Sequence, residues 1–363
     1  MLQAYALRRA LGAYGCDVRF LRKFEVVPYV LSHPYMLSQR VQHKLGKRMR
    51  RKFFVPTDYQ PSTRKLSRLA GFRAAETPEV QITKTSQWNA VIKDRTTFVA
   101  GSDITWNPHN EVPGKYFLDM AVEAGLPCFS YAASIGSSEL PVRYARRYKR
   151  YLSAYQAVSV REAASIELLR PYYAGPIAHV VDPTLLLTRG QWDEVTAKAE
   201  LSVSVGDDGY LLCYFVMEDS RYWQYVREAE EAFGLSVVVL PMHEHDGVGQ
   251  GYLRVSDATP YEFVWLIKHA SFVITDSFHA CTFCLTYEKE FYLLRRTRKA
   301  EDDKYDDFLG RYALQSRSVP NGSAFLRSTC SYSSDTTSRL VHDRHKSIAF
   351  IEDVCTCIMA DSV

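Results

Sequence analysis

Short runs of β-branched and aromatic residues alternate along the chain with longer stretches whose apolar residues recur at helical spacing. The pattern predicts strands at residues 16–21, 97–100, 127–131, 157–160, 179–181, 210–215, 236–240, 272–275 and 291–294. It predicts helices at 144–154, 161–169, 189–198, 221–233, 260–269 and 278–287. Such alternation is typical of βαβ units with mainly parallel sheets, whose central strands are buried on both faces. The sequence therefore predicts an α/β fold.

The length of 363 residues favours two domains. A predicted strand ends near Val181, and the polar turn from Gly206 to Gly209 precedes a strand that would open a second sheet. We therefore predict an N-terminal Rossmann-like domain at 1–188 and a C-terminal one at 189–335. The last segment, 336–363, is predicted to be a helix that packs back on the first domain.

The composition excludes several classes of protein. Hydrophobic residues make up 47% and charged residues 24% of the chain, which excludes a disordered or fibrous protein. The net charge of +4 is too small to indicate nucleic acid as a partner. Arginines interrupt the N-terminus before an apolar leader forms, and no run approaches the ~20 apolar residues of a spanning helix. We therefore expect a cytoplasmic protein, and its eight cysteines to be reduced thiols.

A basic run extends from Arg40 to Lys52. One interpretation is a patch for an anionic membrane surface at the inner face of the membrane, or for an acidic glycan. The alternative is a solvated helix face or loop, and the sequence favours this second interpretation.

Polar residues follow several predicted strands, at the sheet edge where parallel α/β sheets bind ligands. Gly101, Ser102 and Asp103 follow one strand and precede Trp106, while Ser134 and Gly136 follow the next. These residues line a cleft on one interpretation; on the other they form capped turns and tight helix–sheet packing.

Two charged residues end the next two predicted strands. Arg161 can hold a carboxylate or phosphate, or pair with Glu162 or Glu167 at the surface. Asp182 can cap the following segment or orient a cation.

In the second domain, Ser277 and His279 fall in the first turn of a helix that follows a strand. A helix N-terminus attracts anions, and a histidine there suits phosphate binding or general acid catalysis. The sequence from His243 to Asp246 contains metal-ligand types but lies in a predicted loop without supporting groups, so we expect neither a metal nor a cofactor.

The motifs occur in a fixed order: Gly-Ser-Asp-x-x-Trp-Asn-Pro, Tyr-Phe-Leu-Asp, Ser-Tyr-Ala-Ala-Ser-x-Gly, Ser-Val-Arg-Glu, Asp-Pro-Thr-Leu-Leu-Leu and Thr-Asp-Ser-Phe-His. This series resembles the polysaccharide pyruvyl transferase family over nearly the whole chain. The resemblance implies two Rossmann-like domains that face each other across a cleft, similar to the glycosyltransferase B arrangement. It also implies transfer of pyruvate from phosphoenolpyruvate to hydroxyls of a glycan or lipid-linked saccharide.

The resemblance suggests particular residue roles. Arg161 and His279 match the residues that grip the donor and lie beside it, and both are expected to be catalytic. The remaining residues are expected to bind the donor (Ser134, Gly136, Ser277 and Arg295) or to line the cleft (Gly101, Ser102, Asp103, Trp106 and Asp182).

The sequence departs from the family pattern in three ways that matter. Ile104 and Thr105 stand where the Trp motif of the family usually carries glutamine and valine. Ser277 stands where characterised branches often carry arginine, and Arg295, Arg296 or Arg298 could supply the second cation. The first strand and its glycine-containing loop are missing before Leu2, so we expect a gap or an unpaired edge in the first sheet.

Two other functions fit the same motifs. One is a glycosyltransferase that uses a nucleotide sugar, because the implied architecture is shared. The other is a non-catalytic homologue that acts as a scaffold in a glycan-assembly complex, which the missing loop and Ser277 favour.

Overall fold

The computed structural model describes residues 1–24, 62–93, 97–108, 113–206, 208–217, 219–242, 251–295, 303–319 and 332–360. Twelve strands lie in this part of the chain: β1 (Phe20–Phe24), β2 (Glu79–Ile82), β3 (Phe98–Ala100), β4 (Cys128–Ser130), β5 (Val158–Val160), β6 (Ile177–His179), β7 (Tyr210–Tyr214), β8 (Ser236–Val239), β9 (Leu253–Arg254), β10 (Phe272–Thr275), β11 (Phe291–Leu294) and β12 (Ser318–Val319). All the strand pairs are parallel.

Helices separate most of these strands. The described residues contain the α-helices α1 (Leu2–Gly12), α2 (Thr63–Glu76), α3 (Thr85–Lys93), α4 (Pro113–Tyr116), α5 (Asp119–Glu123), α6 (Ala145–Leu152), α7 (Ala164–Leu169), α8 (Arg189–Thr196), α9 (Tyr222–Phe233), α10 (Pro260–His269), α11 (Phe278–Tyr287), α12 (Asp303–Arg311) and α13 (Ser334–Ala360). Short 3-10 turns lie at Val142–Tyr144, Pro183–Leu185 and Gln315–Arg317. The α/β class predicted from the alternating pattern is therefore confirmed.

The chain divides into two compact units, and each is assembled from several segments. The N-terminal unit comprises residues 3–57, 76–186 and 343–363, and the C-terminal unit comprises 1–2, 58–75 and 187–342. The chain thus passes into the C-terminal unit after residue 186, where the sequence analysis places a boundary at 188. Residues 58–75 and 343–363 each group with the unit that is distant in sequence.

In the N-terminal unit, β1 pairs with β2, β3 with β4, and β5 with β6. Single bridges from Phe129 to Ala157 and from Ala133 to Val160 connect the β4 and β5 segments, so β3 to β6 follow one another in space. The core is rich in aromatic rings: Trp106 stacks on Phe117 with centroids 5.4 Å apart. This packing fixes the edge of the sheet at which the loops after β3, β4 and β5 meet.

In the C-terminal unit, six parallel strands form one sheet in the order β12-β11-β10-β7-β8-β9. The central strand β10 is buried along its whole length, with Ile274 between Cys213 of β7 and Tyr292 of β11. Burial on both faces explains why these strands are continuous apolar runs.

The C-terminal helix α13 contacts the N-terminal unit through hydrogen bonds. The Val181 N–H donates to Ser347 Oγ over 2.9 Å, and Arg344 Nε donates to the Leu185 carbonyl over 2.8 Å. The ring of Phe350 lies 6.4 Å from that of Tyr131, centroid to centroid.

Two of the predicted strands are shifted by two residues or more, whereas the other predicted strands begin and end within one residue of the predicted positions. The strand predicted at 16–21 begins only at Phe20, because the Cys16 N–H still caps α1 through the Leu11 carbonyl. The strand predicted at 179–181 ends at His179, because the Val181 N–H bonds to the Ser347 side chain instead of a neighbouring strand.

Helix α12 begins at Asp303 in a part of the chain rich in charged residues. Tyr305, Phe308 and Leu309 are buried at helical spacing and give this helix its apolar face. None of the helices in the described residues is long and apolar enough to cross a lipid bilayer.

Candidate functional site

Asp182 lies at the centre of a buried polar cluster in the N-terminal unit. Its Oδ2 accepts hydrogen bonds from Arg161 Nη1 at 3.1 Å and from Ser102 Oγ at 3.2 Å. Its Oδ1 accepts from the Thr184 N–H at 3.0 Å and the Thr184 hydroxyl at 2.8 Å. Asp182 therefore caps the turn at Pro183–Leu185 and also orients a cation, so it connects the loops that follow β3, β5 and β6.

Glu162 holds the loop after β4 in place. Its Oε1 accepts from Ser134 Oγ at 2.7 Å, from the Ile135 N–H at 3.1 Å and from the Gly136 N–H at 3.4 Å. The Ser165 hydroxyl also donates to this oxygen, over 2.8 Å. Glu162 Oε2 lies 3.6 Å from Arg161 Nε, so the two residues form an ion pair at the end of β5.

Arg161 is thus buried between two carboxylates, with 4% of its side chain exposed. Burial alone lowers the pKa of the guanidinium, but the charges of Asp182, Glu162 and Asp103 raise the pKa above its ordinary value. The pairing with Glu162 that the sequence analysis considered is present, but it is buried inside the unit and does not lie at the surface. A donor anion that reached Arg161 would compete with Asp182 for the same guanidinium.

The loops around this cluster have unusual backbone angles. Asp103 and Ala132 adopt positive φ angles of 94° and 52°, which side chains rarely favour. Gly136 has a φ of 59°, and a Cβ there would clash with Cγ2 of Ile104. Glycine is required at 136 both for its backbone angle and for the close approach of Ile104.

The other predicted residues of this edge differ in exposure. Asp103 is exposed, and Gly101, Ser102 and Gly136 are partly exposed. Trp106 is fully buried in the core, where its Nε1 donates to the Tyr116 carbonyl.

The C-terminal unit has a second polar cluster where β10 ends. Asp276 Oδ1 accepts from the Val216 N–H at 2.6 Å, and Oδ2 accepts from the Met217 N–H at 2.9 Å. The Thr275 hydroxyl donates to the Tyr214 carbonyl over 2.6 Å. Asp276 therefore fixes the loop after β7 against the start of α11.

His279 is partly buried in the first turn of α11. Ser277 is the N-cap of this helix, and its Oγ accepts from the Ala280 N–H at 3.4 Å. Arg295, at the end of β11, donates to Asp306 of α12 over 2.5 Å and stacks on the Tyr305 ring. The Tyr305 hydroxyl donates to the Asp276 carbonyl, so this structure brings Ser277, His279 and Arg295 to one edge of the sheet.

Comparison with known proteins decides the family. The sequence profile described as polysaccharide pyruvyl transferase matches residues 1–297. The chain belongs to the polysaccharide pyruvyl transferase family. The matched residues include both polar clusters. The motifs that suggested this family lie in the loops at the carboxyl ends of the parallel strands. The comparison with curated proteins gives no match.

This polysaccharide pyruvyl transferase family member is similar to several solved structures. UDP-GlcNAc 2-epimerase from Methanocaldococcus jannaschii matches with a TM-score of 0.50 and 12% identity, over 77% of this chain and 82% of the epimerase. ADP-heptose lps heptosyltransferase II from E. coli matches at 0.36 and 11%, over 97% and 96% of the two chains. The glycotransferase of kitacinnamycin matches at 0.46 and 11%, over 99% and 94%. The epimerase match supports the predicted Rossmann-like α/β fold.

Two residues that order this pyruvyl transferase family site were not among the predicted ones. Glu162 and Asp276 each hold a loop through backbone N–H groups. Their position in the sequence could have identified them, because each is a carboxylate that follows a buried apolar strand and is next to a predicted site residue.

The described residues contain no group of three or more histidine, cysteine or acidic side chains placed to hold a metal ion. The sequence from His243 to Asp246, the basic run from Arg40 to Lys52, and the alternative cations Arg296 and Arg298 all lie outside the described residues.

Proposed function

We propose that this protein transfers a pyruvyl group from phosphoenolpyruvate to two hydroxyls of a sugar in a cell-surface polysaccharide or its lipid-linked precursor. The family match over residues 1–297 carries the proposal. The polar loops at the strand ends of both units support it, because this edge of parallel sheets is where α/β proteins bind ligands.

The reaction joins one donor to two hydroxyl groups and releases inorganic phosphate. A proton adds to the methylene carbon of phosphoenolpyruvate, and the first hydroxyl attacks the adjacent carbon. The carbon–oxygen bond to phosphate then breaks, and the second hydroxyl completes the ketal. The two hydroxyl protons balance the proton that the carbon gains and the proton that leaves with phosphate.

We assign the protonation step to His279. An imidazole can donate a proton as a general acid, and His279 lies in the first turn of α11, whose N-terminus favours a phosphate group. Ser277 and Arg295 are proposed to contact the donor at the same strand edge, with Arg295 as the cation that replaces the arginine expected at 277.

We also assign Arg161 to the binding of the donor. Asp182 neutralises part of the Arg161 charge and so determines how strongly the donor is attracted. The ion pair of 3.1 Å means that a bound anion shares the guanidinium with Asp182. Replacing Asp182 with asparagine keeps most of its hydrogen-bonding shape and removes its charge. If Arg161 binds the donor, Asp182→Asn tightens the binding of phosphoenolpyruvate, whereas a purely structural Arg161 leaves that binding unchanged.

The test is mass spectrometry of a lipid-linked saccharide before and after incubation with phosphoenolpyruvate, together with an assay of released phosphate. The expected result is one pyruvyl ketal for each phosphate released. Nucleotide sugars are tested in parallel; transfer from them and not from phosphoenolpyruvate would replace the proposal with a glycosyltransferase. Binding of the saccharide without turnover of any donor would support the scaffold instead.

The role of His279 is tested with His279→Gln. We expect turnover to fall by about 10²–10⁴-fold while donor binding changes little, because a general acid acts in the transition state. His269→Gln is the matched control, since His269 is exposed at the end of α10 in the same unit. Equal turnover in the His279 variant and the control would refute this role.

A further inference from the structure

A cationic surface lies on the N-terminal unit, on residues to which the proposed reaction assigns no role. Residues 142–155 contain five arginine or lysine residues and no acidic residue. The whole chain carries 45 basic and 41 acidic side chains, so this segment departs strongly from the balance elsewhere.

Helix α6 separates its buried and charged side chains cleanly. Tyr148, Tyr151 and Leu152 are buried in the core. Arg146, Lys149 and Arg150 are exposed and, at about 100° per residue, fall within an arc of about 100° on the opposite side. The core therefore fixes the rotation of α6, and its cations are presented to solvent as a group.

The turn before α6 adds an apolar side chain to this surface. Val142 is 86% exposed, the largest exposed fraction among the exposed large hydrophobic residues that the structure describes. It is followed by Arg143, which is exposed and has its guanidinium 4.9 Å from the centre of the Tyr144 ring. Val142 thus projects next to the cations of α6.

Internal contacts use part of this charge. Arg150 donates to Glu123 over 2.6 Å and 2.9 Å, and Arg147 is partly buried against the Tyr144 ring at 5.1 Å. Arg143, Arg146 and Lys149 make no ion pair with any residue that the structure describes. These three cations and Val142 define what we term the α6 surface.

We propose that the α6 surface binds a lipid bilayer that contains anionic phospholipids. Lipid phosphates match the cations, and the acyl boundary just below them accommodates the exposed Val142. An acidic polysaccharide matches the charge equally well but offers no apolar phase for Val142, so the observations favour lipid. This inference does not depend on the proposed reaction.

Co-sedimentation with vesicles tests the inference on the full chain. Vesicles of phosphatidylcholine alone are compared with vesicles that also contain phosphatidylglycerol, at low and at physiological salt. We expect binding only to the anionic vesicles, and weaker binding as salt rises because the exposed charges are screened. Arg146→Gln with Lys149→Gln should weaken vesicle binding by about 30-fold, since two charges leave the surface.

Arg227→Gln with Lys346→Gln is the matched control. Both residues are exposed and lie outside the α6 surface, and the pair removes the same net charge. Val142→Ser tests the apolar contact and should weaken vesicle binding several-fold while leaving binding to dextran sulfate unchanged. Circular dichroism establishes that each variant is folded.

Three outcomes would overturn the inference. Equal vesicle binding by the Arg146→Gln, Lys149→Gln variant and the wild type would place lipid binding elsewhere or exclude it. An equal loss of binding in the Arg227→Gln, Lys346→Gln control would attribute the effect to net charge. Binding of the wild type to dextran sulfate but not to anionic vesicles would assign the surface to an acidic polymer.

Discussion

We expect the buried ion pair between Arg161 and Asp182 to stabilise the N-terminal unit measurably. Replacing Arg161 with methionine keeps much of its volume and removes its charge. Asp182 and Glu162 then remain buried, with 0% and 5% of their side chains exposed, and without a cation between them. Removing one partner of a buried pair costs about 3–5 kcal/mol, because the other charge remains desolvated.

The size of the effect agrees with the electrostatics. Two unit charges about 4 Å apart attract by about 4 kcal/mol at an effective dielectric constant of 20. Arg161→Lys should lose less than Arg161→Met, because it keeps the charge and loses only the fork that reaches both carboxylates. Adding Asp182→Asn to Arg161→Met should restore part of the loss, since it removes one of the uncompensated charges.

Arg170 provides the control for this experiment. It pairs with Glu167 at 3.1 Å in the same unit, but the two side chains are 67% and 75% exposed. Arg170→Met should therefore cost less than about 1 kcal/mol. Because the chain has two units, unfolding in urea is monitored by hydrogen exchange of peptides that contain β5 and β6. This measurement reports on the N-terminal unit alone. A loss for Arg161→Met no larger than that for Arg170→Met would refute the reasoning.

Three further predictions concern other parts of the fold. Thr259→Ala should destabilise the C-terminal unit by about 1 kcal/mol in urea unfolding, because Thr259 and Glu262 form a capping box at the start of α10, and Thr259→Ser should restore most of it. Burial raises the pKa of Asp257, but Ser202, Arg68 and Arg64 outweigh it and hold that pKa below 3.8. The Asp257 carboxylate contributes its full stabilisation above the pKa that it has in the unfolded chain, and this stabilisation is lost as the pH falls through its pKa in the folded protein. Arg68→Met should therefore reduce the loss of stability between about pH 5 and pH 3. The Sγ atoms of Cys16 and Cys355 lie 3.8 Å apart, so the oxidant diamide should join them in a disulfide, while peptide mass spectrometry finds the exposed Cys357 unpaired. Burial and the nearby Cys16 raise the pKa of Cys355 to about 12, so the disulfide should form faster at alkaline pH.

The position of the polar loops can be predicted from the sequence because it follows from the position of the parallel strands. Parallel strands end at one edge of a sheet, so residues that follow successive strands, such as Ser134 and Arg161, come together there. The partners of these residues are harder to predict. Whether Arg161 faces a ligand or Asp182 depends on burial, and burial arises from packing between elements that are far apart in sequence.

Helix α2 shows the same limit more clearly. The sequence analysis predicts no helix there, and its Leu66 is 47% exposed. Arg68 attaches α2 to the C-terminal unit through Asp257 and Glu262, which lie nearly 200 residues further along the chain. A local pattern carries no information about such a partner.

The route of the chain between the two units also limits the order in which they can be completed during synthesis. The N-terminal unit includes residues 343–363, and the Val181 N–H receives its partner only when Ser347 has been made. Domains usually fold in the order of their synthesis, with the N-terminal one first. Here the N-terminal unit stays incomplete until residues 187–342 of the C-terminal unit have been synthesised, so the segment whose Ser347 bonds to the Val181 N–H is made after the whole of the other unit.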